Sequence, residues 1–267
     1  MRVAVVGHLE WVELVRVDEV PRAGDIVQAV PLLALAAGGG GVAAVQLARW
    51  GAESLFFTAF GGDALGARAR AELASRGVTL HAATRAEPQR RAVTLVDAVR
   101  ERTIIVIGDR HVASGADPLP WDTLASCDAV YVTGGDVEAV RAARAARVVV
   151  ATSRVLPLLR ASGIAIDALV GSSNDPTEHY VPGDLPVAPG LVIRTNGAAG
   201  GTYELAGQTY AYPAVPAVMT GDSYGAGDTF AAGVTFALGE GRGAADAIAF
   251  AAARAAEVLA FTGPFPP

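Results

Sequence analysis

The stretch Met219-Thr220-Gly221-Asp222-Ser223-Tyr224-Gly225-Ala226-Gly227-Asp228-Thr229-Phe230-Ala231-Ala232-Gly233 decides how the chain is read. Three small residues precede an acid, and the acid precedes an apolar run. Gly225, Ala226 and Gly227 offer little beyond backbone. The first N–H groups of a helix have no partner within the helix, and the helix dipole puts about half a positive charge at that end. Glycine lets a ligand come close to those groups. A helix starting here would gather N–H groups on one spot, suited to a phosphoryl group and to the charge that develops during its transfer. Asp228 would stand near the hydroxyl that receives it. A carboxylate is a weak base, and a helix N-terminus weakens it further. In a loose phosphoryl-transfer transition state the proton leaves late, so positioning outweighs basicity. The other reading is a glycine turn with Asp as a helix cap.

The rest of the composition narrows the chemistry. The chain has 267 residues, 52% hydrophobic and 18% charged, with a formal net charge of −6. All 21 basic residues are arginine. The absence of lysine excludes a P-loop lysine, a Schiff-base lysine and a protein-kinase strand lysine. An acidic chain with a pI near 5.2 has no basic face for phosphate backbones, so nucleic acid is not an expected partner. No run of 18 or more apolar residues suggests a membrane span. The N-terminal apolar run is too short for a signal peptide. The single cysteine, Cys127, cannot form an internal disulfide, which fits a cytoplasmic protein. His8, His81, His111 and His179 lie apart, with no Cys/His spacing for zinc.

Outward from the quoted stretch, apolar runs alternate with helical patterns. Residues 2–7, 54–60, 128–135, 147–152, 167–174 and 191–197 read as buried strands. Helical patterns follow Gly38–Gly41, end at Gly51, and recur before Gly77, after Gly135 and over 233–241 and 244–261. This alternation predicts a mostly parallel sheet covered on both faces. Two segments break the rhythm. Residues 10–30 alternate like strands with one wet face, and 92–108 read as two strands around a charged turn. They predict a small separate sheet, a lid over the α/β core. Residues 32–37, all Leu and Ala, carry no β character.

Asp222-Ser223-Tyr224-Gly225-Ala226-Gly227-Asp228 before a helix resembles the C-terminal signature of the ribokinase-like (PfkB) carbohydrate kinases. The resemblance extends along nearly the whole chain. VAVVG opens it, and VDEVPRAGD follows as a Pro-x-x-Gly turn. AGGGGVAAVQLARWGA is similar to the first family signature, FTAFGGDALG to the Gly-x-Asp-x-x-Gly segment, and RTNGAAGGTY to the nucleotide-side Thr-x-Gly segment. The resemblance implies a three-layer α/β/α sandwich with a mostly parallel sheet and a small β lid. It implies one kinase domain over 1–267, with lid strands inserted at about 10–31 and 91–107. ATP and Mg2+ would be the cofactors, and a hydroxyl of a sugar-like small molecule the acceptor.

The resemblance also implies roles. Asp228 is the catalytic base, and Gly225, Ala226 and Gly227 form the anion hole. Thr195, Gly197, Gly200 and Asp222 serve the nucleotide, with Gly225 and Gly227. His8, Glu10, Trp11, Gly38, Gly39 and Arg91 line the acceptor site with Asp228. Asp175 and Glu178, in the place of an Asn-x-x-Glu motif, serve the metal; Asn174 is the alternative start of that motif, and a capped turn is the purely structural reading. Trp11 either stacks on substrate or fills the core, and Arg90 or Arg91 either grips a substrate anion or ends a strand in solvent. The lid implies a homodimer through its exposed edge.

Besides Asp175 in the Asn-x-x-Glu motif, the sequence departs from the family at two places. The first signature reads Gly38-Gly39-Gly40-Gly41-Val42-Ala43, without the lysine and asparagine of many sugar kinases. The early Asn-x-Asp falls on Glu10-Trp11-Val12. A nucleoside kinase, which Trp11 stacking on a base would favour, and a relative that binds a ligand without catalysis, which the lost lysine and asparagine motivate, stand as alternatives to a sugar kinase.

Overall fold

The computed structural model describes residues 1–266. In chain order the elements are β1 (Arg2–Val6), β2 (Glu10–Arg16), β3 (Val30–Ala37), α1 (Gly38–Arg49), β4 (Glu53–Gly61), α2 (Ala64–Ser75), β5 (Val78–Arg85), β6 (Arg91–Val96) and β7 (Arg102–Ile107). There follow β8 (Ala129–Val132), α3 (Val137–Ala143), β9 (Val148–Thr152), α4 (Leu156–Ser162), β10 (Ala168–Ser172), β11 (Leu191–Thr195), β12 (Gly201–Leu205), β13 (Gln208–Tyr212), α5 (Ala226–Gly239) and α6 (Ala244–Val258). Nine strands form one sheet in the order β13-β12-β11-β10-β9-β8-β1-β4-β5, and four form a second in the order β3-β2-β6-β7. The large sheet is parallel from β11 to β5, and only the β11–β12 and β12–β13 pairings are antiparallel.

The period of two along each strand builds both cores. Val3, Val5 and Phe56 join one apolar cluster with Ala43 of α1, Val234 of α5 and Ile248 of α6. Their neighbours Ala4, Val6, Leu55 and Phe57 face the other way, onto Val140 of α3 and Leu159 of α4. Because both faces are covered, the central strands carry near-continuous apolar runs rather than an alternation. This is the three-layer arrangement expected from the sequence. A third cluster lies beneath the small sheet, where Val12, Leu14, Leu35 and Ala92 meet Val42 and Tyr224.

Strand order reverses at β1. The chain moves from β1 to β4 and β5 on one side, then returns to β8 and runs outward to β11 on the other. In open α/β sheets such a switch point leaves a crevice at the carboxyl ends of the strands. Here the crevice lies between the end of β1, where Gly7 and His8 follow, and the end of β8, where Thr133 and Gly134 follow.

The structure corrects the sequence reading in four places. Residues 32–37 lie in β3, paired antiparallel with β2 from Glu10↔Ala37 to Arg16↔Val30. Leu and Ala sit there because pairing and the cluster beneath outweigh intrinsic propensity. Residues 17–29, expected as strand, are largely irregular. Strand β5 and helix α4 were not anticipated: the His81 and Arg85 region lacks clean alternation, and α4 spans only two turns. No helix among the described residues is long and apolar enough to cross a membrane.

Candidate active site

Helix α5 begins at Ala226, capped by Gly225 in the left-handed region at φ 78°. Ala226 N–H makes a long hydrogen bond of 3.3 Å to the Ser223 carbonyl, and Thr229 N–H bonds the Gly225 carbonyl at 2.8 Å. The N–H groups of Gly227 and Asp228 find no acceptor among the described residues. Gly227 is exposed, and a Cβ placed on it would meet nothing within 4 Å. Open space therefore lies beside Gly227, next to these orphan donors.

Asp222 holds that loop. Its carboxylate is 2% exposed and accepts from Tyr224 N–H at 2.8 Å and Gly263 N–H at 2.9 Å. The Tyr224 hydroxyl in turn accepts from Gly38 N–H at 3.3 Å. Asp222 thus orients the loop, with both oxygens already taken up by backbone. The lid straps the same loop from above. Arg100 Nη1 donates to the carbonyls of Met219 (2.9 Å) and Gly221 (3.1 Å), and Arg102 Nη1 to Ser223 Oγ (2.7 Å) and its carbonyl (3.1 Å). The Arg102→Ala variant is expected to raise amide hydrogen exchange across 219–224 by about tenfold, the worth of a charged hydrogen bond. Unchanged exchange would show that the strap is dispensable.

Asp228 projects from the first turn of α5 toward a second helix start. A Cβ on Gly39 would stand 3.0 Å from Asp228 Oδ1, 3.0 Å from Thr133 Oγ1 and 3.7 Å from His8 Cε1. The two glycine-rich helix ends and the crevice between β1 and β8 therefore meet at one point. Burial pushes the Asp228 carboxyl up to about 6; Arg102 and Arg154 pull it back, while Glu178 and Glu10 raise it further. This corrects the expectation of a weakened base. Desolvation outweighs the helix end, and Asp228 is a stronger base than an ordinary carboxylate, yet is largely ionised at neutral pH.

His8 is 8% exposed and its Nδ1 lies 3.3 Å from the Thr133 carbonyl. A carbonyl only accepts, so Nδ1 carries the proton and Nε2 a lone pair. Burial, then Arg110 and Arg90, lower its pKa to about 3. The imidazole is neutral, and the 3.9 Å approach of Nε2 to Glu10 is not an ion pair. Glu10 instead accepts from Arg90 Nε at 2.6 Å, with both side chains mostly buried. Arg91, the next residue, points to the opposite side of the strand and bonds Glu13 Oε1 at 2.9 Å. Successive strand residues alternate faces, so the arginine beside His8 is Arg90 and the expectation for Arg91 is corrected. Trp11 is also corrected. Its ring is 2% exposed within the core, with the Arg68 guanidinium 4.4 Å above its centroid, so it has no free face for stacking.

Strands β10 and β11 end side by side, with Ser172 opposite Thr195. Ser173 N–H donates to the Thr195 carbonyl at 2.8 Å, so the segment after β10 and the segment 195–200 form one rim. Gly197 (φ 51°) and Gly200 (φ 82°) turn the chain there. Asp175 caps the short turn Pro176–Glu178, accepting from Thr177 N–H at 2.9 Å. Arg154 Nη2 reaches both acids, at 2.9 Å from Asp175 Oδ2 and 2.6 Å from Glu178 Oε1, while Glu178 Oε2 accepts from Ser172 N–H at 2.8 Å. Among the described residues no three His, Cys, Asp or Glu side chains cluster closely enough to hold a metal ion by themselves.

Sequence reasoning missed Thr133, Arg102, Arg110 and Arg154. Thr133 and Arg154 follow the carboxyl ends of strands that had been recognised, so the switch-point rule was the available signal. Arg102 and Arg110 come from the lid and its exit, where no local pattern marks the cleft.

The profile of the pfkB carbohydrate kinase family matches residues 1–156 and 166–265. The chain belongs to that family. No sequence among curated proteins matches it. Its fold is similar to a ribokinase from Thermotoga maritima (20% identity, TM-score 0.78, 99% of this chain and 96% of that one). It is similar to an adenosine kinase from Sinorhizobium meliloti to the same degree (19%, 0.78, 99% and 95%). It also resembles the Arabidopsis thaliana ribokinase complexed with ribose and ATP (21%, 0.74, 98% and 96%). The equal scores for a ribokinase and an adenosine kinase fix the fold and leave the acceptor open.

Proposed function

We propose that this chain transfers the γ-phosphoryl group of ATP to a hydroxyl of a sugar-like small molecule, with Asp228 as the base. The observation that carries the reading is the meeting of Asp228, in the first turn of α5 with its orphan N–H groups, with Gly39, Thr133 and His8 in the switch-point crevice. The acceptor hydroxyl gives its proton to the Asp228 carboxylate. Its oxygen forms the new bond to phosphorus as the bond to the β,γ-bridging oxygen breaks, and ADP leaves with that electron pair. The N–H groups of Gly225, Ala226 and Gly227 face the charge on the moving phosphoryl group; the bond from Ala226 to Ser223 is long enough for a phosphoryl oxygen to displace. The lone pair on His8 Nε2 orients a second hydroxyl.

Thr195, Gly197 and Gly200 form the nucleotide rim. The four oxygens of Asp175 and Glu178 are all partnered, two by Arg154 and the others by Thr177 and Ser172. That suits a magnesium ion that arrives on the nucleotide, held by phosphates and water, with these two acids holding its water shell. The ion would neutralise phosphate charge during transfer.

A nucleoside acceptor loses its main support, since Trp11 is covered and offers no ring to a base. A purely ligand-binding relative is disfavoured by an Asp228 poised as a base. The test is ATP consumption across pentoses, hexoses, polyols, sugar acids, sugar phosphates and nucleosides. Acceptor-dependent ADP formation supports the reading. Ligand-induced thermal shifts without turnover would replace it with the binding-only alternative.

The lid edge suits a second copy of the chain. Every residue of β7 is exposed, including Ile104, Ile105, Val106 and Ile107 at 42–50%, and its outer backbone edge has no strand partner. Such an apolar edge is ordinarily covered. Sedimentation is expected at the mass of a dimer, and at that of a monomer for Ile105→Lys. A monomeric wild-type protein at micromolar concentration would contradict this.

A further inference from the structure

The catalytic reading leaves one cation of the cleft unused. Arg110 lies between the end of the lid and the core, and its guanidinium makes no hydrogen bond or ion pair with any described residue. Its neighbours on the chain are pinned. His111 is 4% exposed with Nε2 2.8 Å from the Pro88 carbonyl, and the Val112 carbonyl accepts from Arg85 Nη2 at 2.8 Å. Arg85 is itself locked onto Asp117 by two hydrogen bonds of 2.8 and 2.6 Å. Arg110 is therefore held out from a fixed segment rather than from a loose loop.

It is held toward a cleft. A cavity of about 290 Å³ is lined by Arg110 and Arg154, by Gly134 and Gly135, and by apolar residues that include Val112 and Leu158. The cavity adjoins the reaction centre. A Cβ on Gly134 would lie 3.5 Å from His8 N, and His8 lies beside Gly39, which abuts Asp228. The other two arginines here have carboxylate partners: Arg90 holds Glu10, and Arg154 holds Asp175 and Glu178. Of these three, Arg110 alone has no bonded partner, and Glu10, which already holds Arg90, is the acid that offsets part of its charge. Its surface is exposed, yet the surrounding protein desolvates it enough to hold the guanidinium below its ordinary value, with repulsion from Arg90 and Arg154 outweighing the attraction of Glu10. A cation so placed is stabilised by an anion in front of it.

We propose that Arg110, with Arg154 across the cleft, binds an anionic group of the acceptor, a carboxylate or phosphate ester, so that the acceptor is a sugar acid or sugar phosphate rather than a neutral sugar. The anion lies on the far side of His8 from Asp228. The body of the acceptor spans Gly134 and His8 and brings a hydroxyl at its other end to the base. This rests on the kinase reading for the hydroxyl end, but the anion subsite stands on its own geometry.

The test uses matched pairs titrated calorimetrically into the full chain without nucleotide: gluconate against glucose, glucose 6-phosphate against glucose, and ribose 5-phosphate against ribose. At least one anion is expected to bind about tenfold or more tighter than its neutral parent, the worth of a charged hydrogen bond. Arg110→Gln is expected to erase that gap while leaving the neutral affinity unchanged, and Arg110→Lys to restore part of it. Arg110 makes no bond within the protein, so the variants are expected to melt with the wild type. No gap in any pair, or a gap that survives in Arg110→Gln, would overturn the proposal. So would a variant that loses affinity for Mg-ATP instead, since the guanidinium would then serve the nucleotide phosphates. Phosphorylation assays on the same pairs separate the two readings. Anion-selective binding without turnover keeps the subsite and removes the kinase. Turnover confined to neutral acceptors keeps the kinase and removes the subsite.

Discussion

Asp228→Asn is expected to lower acceptor-dependent turnover by at least about a hundredfold, the usual worth of a positioned base, while leaving the fold intact. Asparagine matches the shape of the carboxylate and cannot take the proton. The wild-type pH dependence follows from the carboxyl raised to about 6. The base works ionised, so kcat/KM rises with pH through about 6 and levels off above it. His8, lowered to about 3, is neutral throughout that window and adds no second step. Stability moves the other way. The folded-state pKa lies above the ordinary 3.8, so the protonated form favours the native state. That contribution is complete below about pH 4 and is lost as pH rises through about 6. Asp228→Asn should therefore melt higher than wild type at pH 7 to 8, with the difference vanishing near pH 4. An enzyme that loses turnover and gains stability from one isosteric change has its carboxylate placed for catalysis. A variant that is equally active, or less stable at pH 7, would make Asp228 a structural cap.

The second large effect is expected at Gly225. Its φ of 78° lies where side chains are strained, and an added Cβ would stand 2.5 Å from Pro264 Cβ. Gly225→Ala should destabilise the protein by on the order of 2 to 3 kcal/mol, from left-handed strain and displacement of the C-terminal segment. The shifted loop would misalign the N–H groups at the start of α5, and the loss of one such donor costs about a hundredfold in kcat. Denaturant unfolding and steady-state kinetics read the two effects separately. Gly227→Ala is the contrast: its Cβ meets nothing within 4 Å, so it should melt at or above the wild-type temperature. A Gly227→Ala variant as unstable as Gly225→Ala would place the strain in the wrong residue.

Much of this architecture was legible in the sequence because its causes are local. Apolar runs such as Val3–Val6 and Val148–Ala151 announce strands buried on both faces, and Gly51 and Gly77 mark helix ends. Asp228 and its glycines were legible because a phosphoryl site needs backbone, and backbone is exposed by small residues at one spacing. Elements set by their partners were not legible. Strand β3 is a Leu/Ala run that becomes a strand because β2 and the cluster around Tyr224 receive it. Trp11 and Arg91 were misassigned for a related reason. Which face of a lid strand looks into the cleft depends on register, and a step of one residue exchanges Arg90 for Arg91. The basic rim of Arg102, Arg110 and Arg154 comes from three distant segments and exists only once the sheets are stacked.

The central claim is that the γ-phosphoryl group reaches an acceptor hydroxyl under the control of Asp228. Its most direct test follows the label from γ-labelled ATP in wild type and Asp228→Asn, with acceptors taken from the panel that raises ADP formation. The account predicts label in a phosphate ester of the acceptor with wild type, and about one per cent of that rate or less in the variant. Label released only as inorganic phosphate, or transferred equally by both proteins, would contradict it.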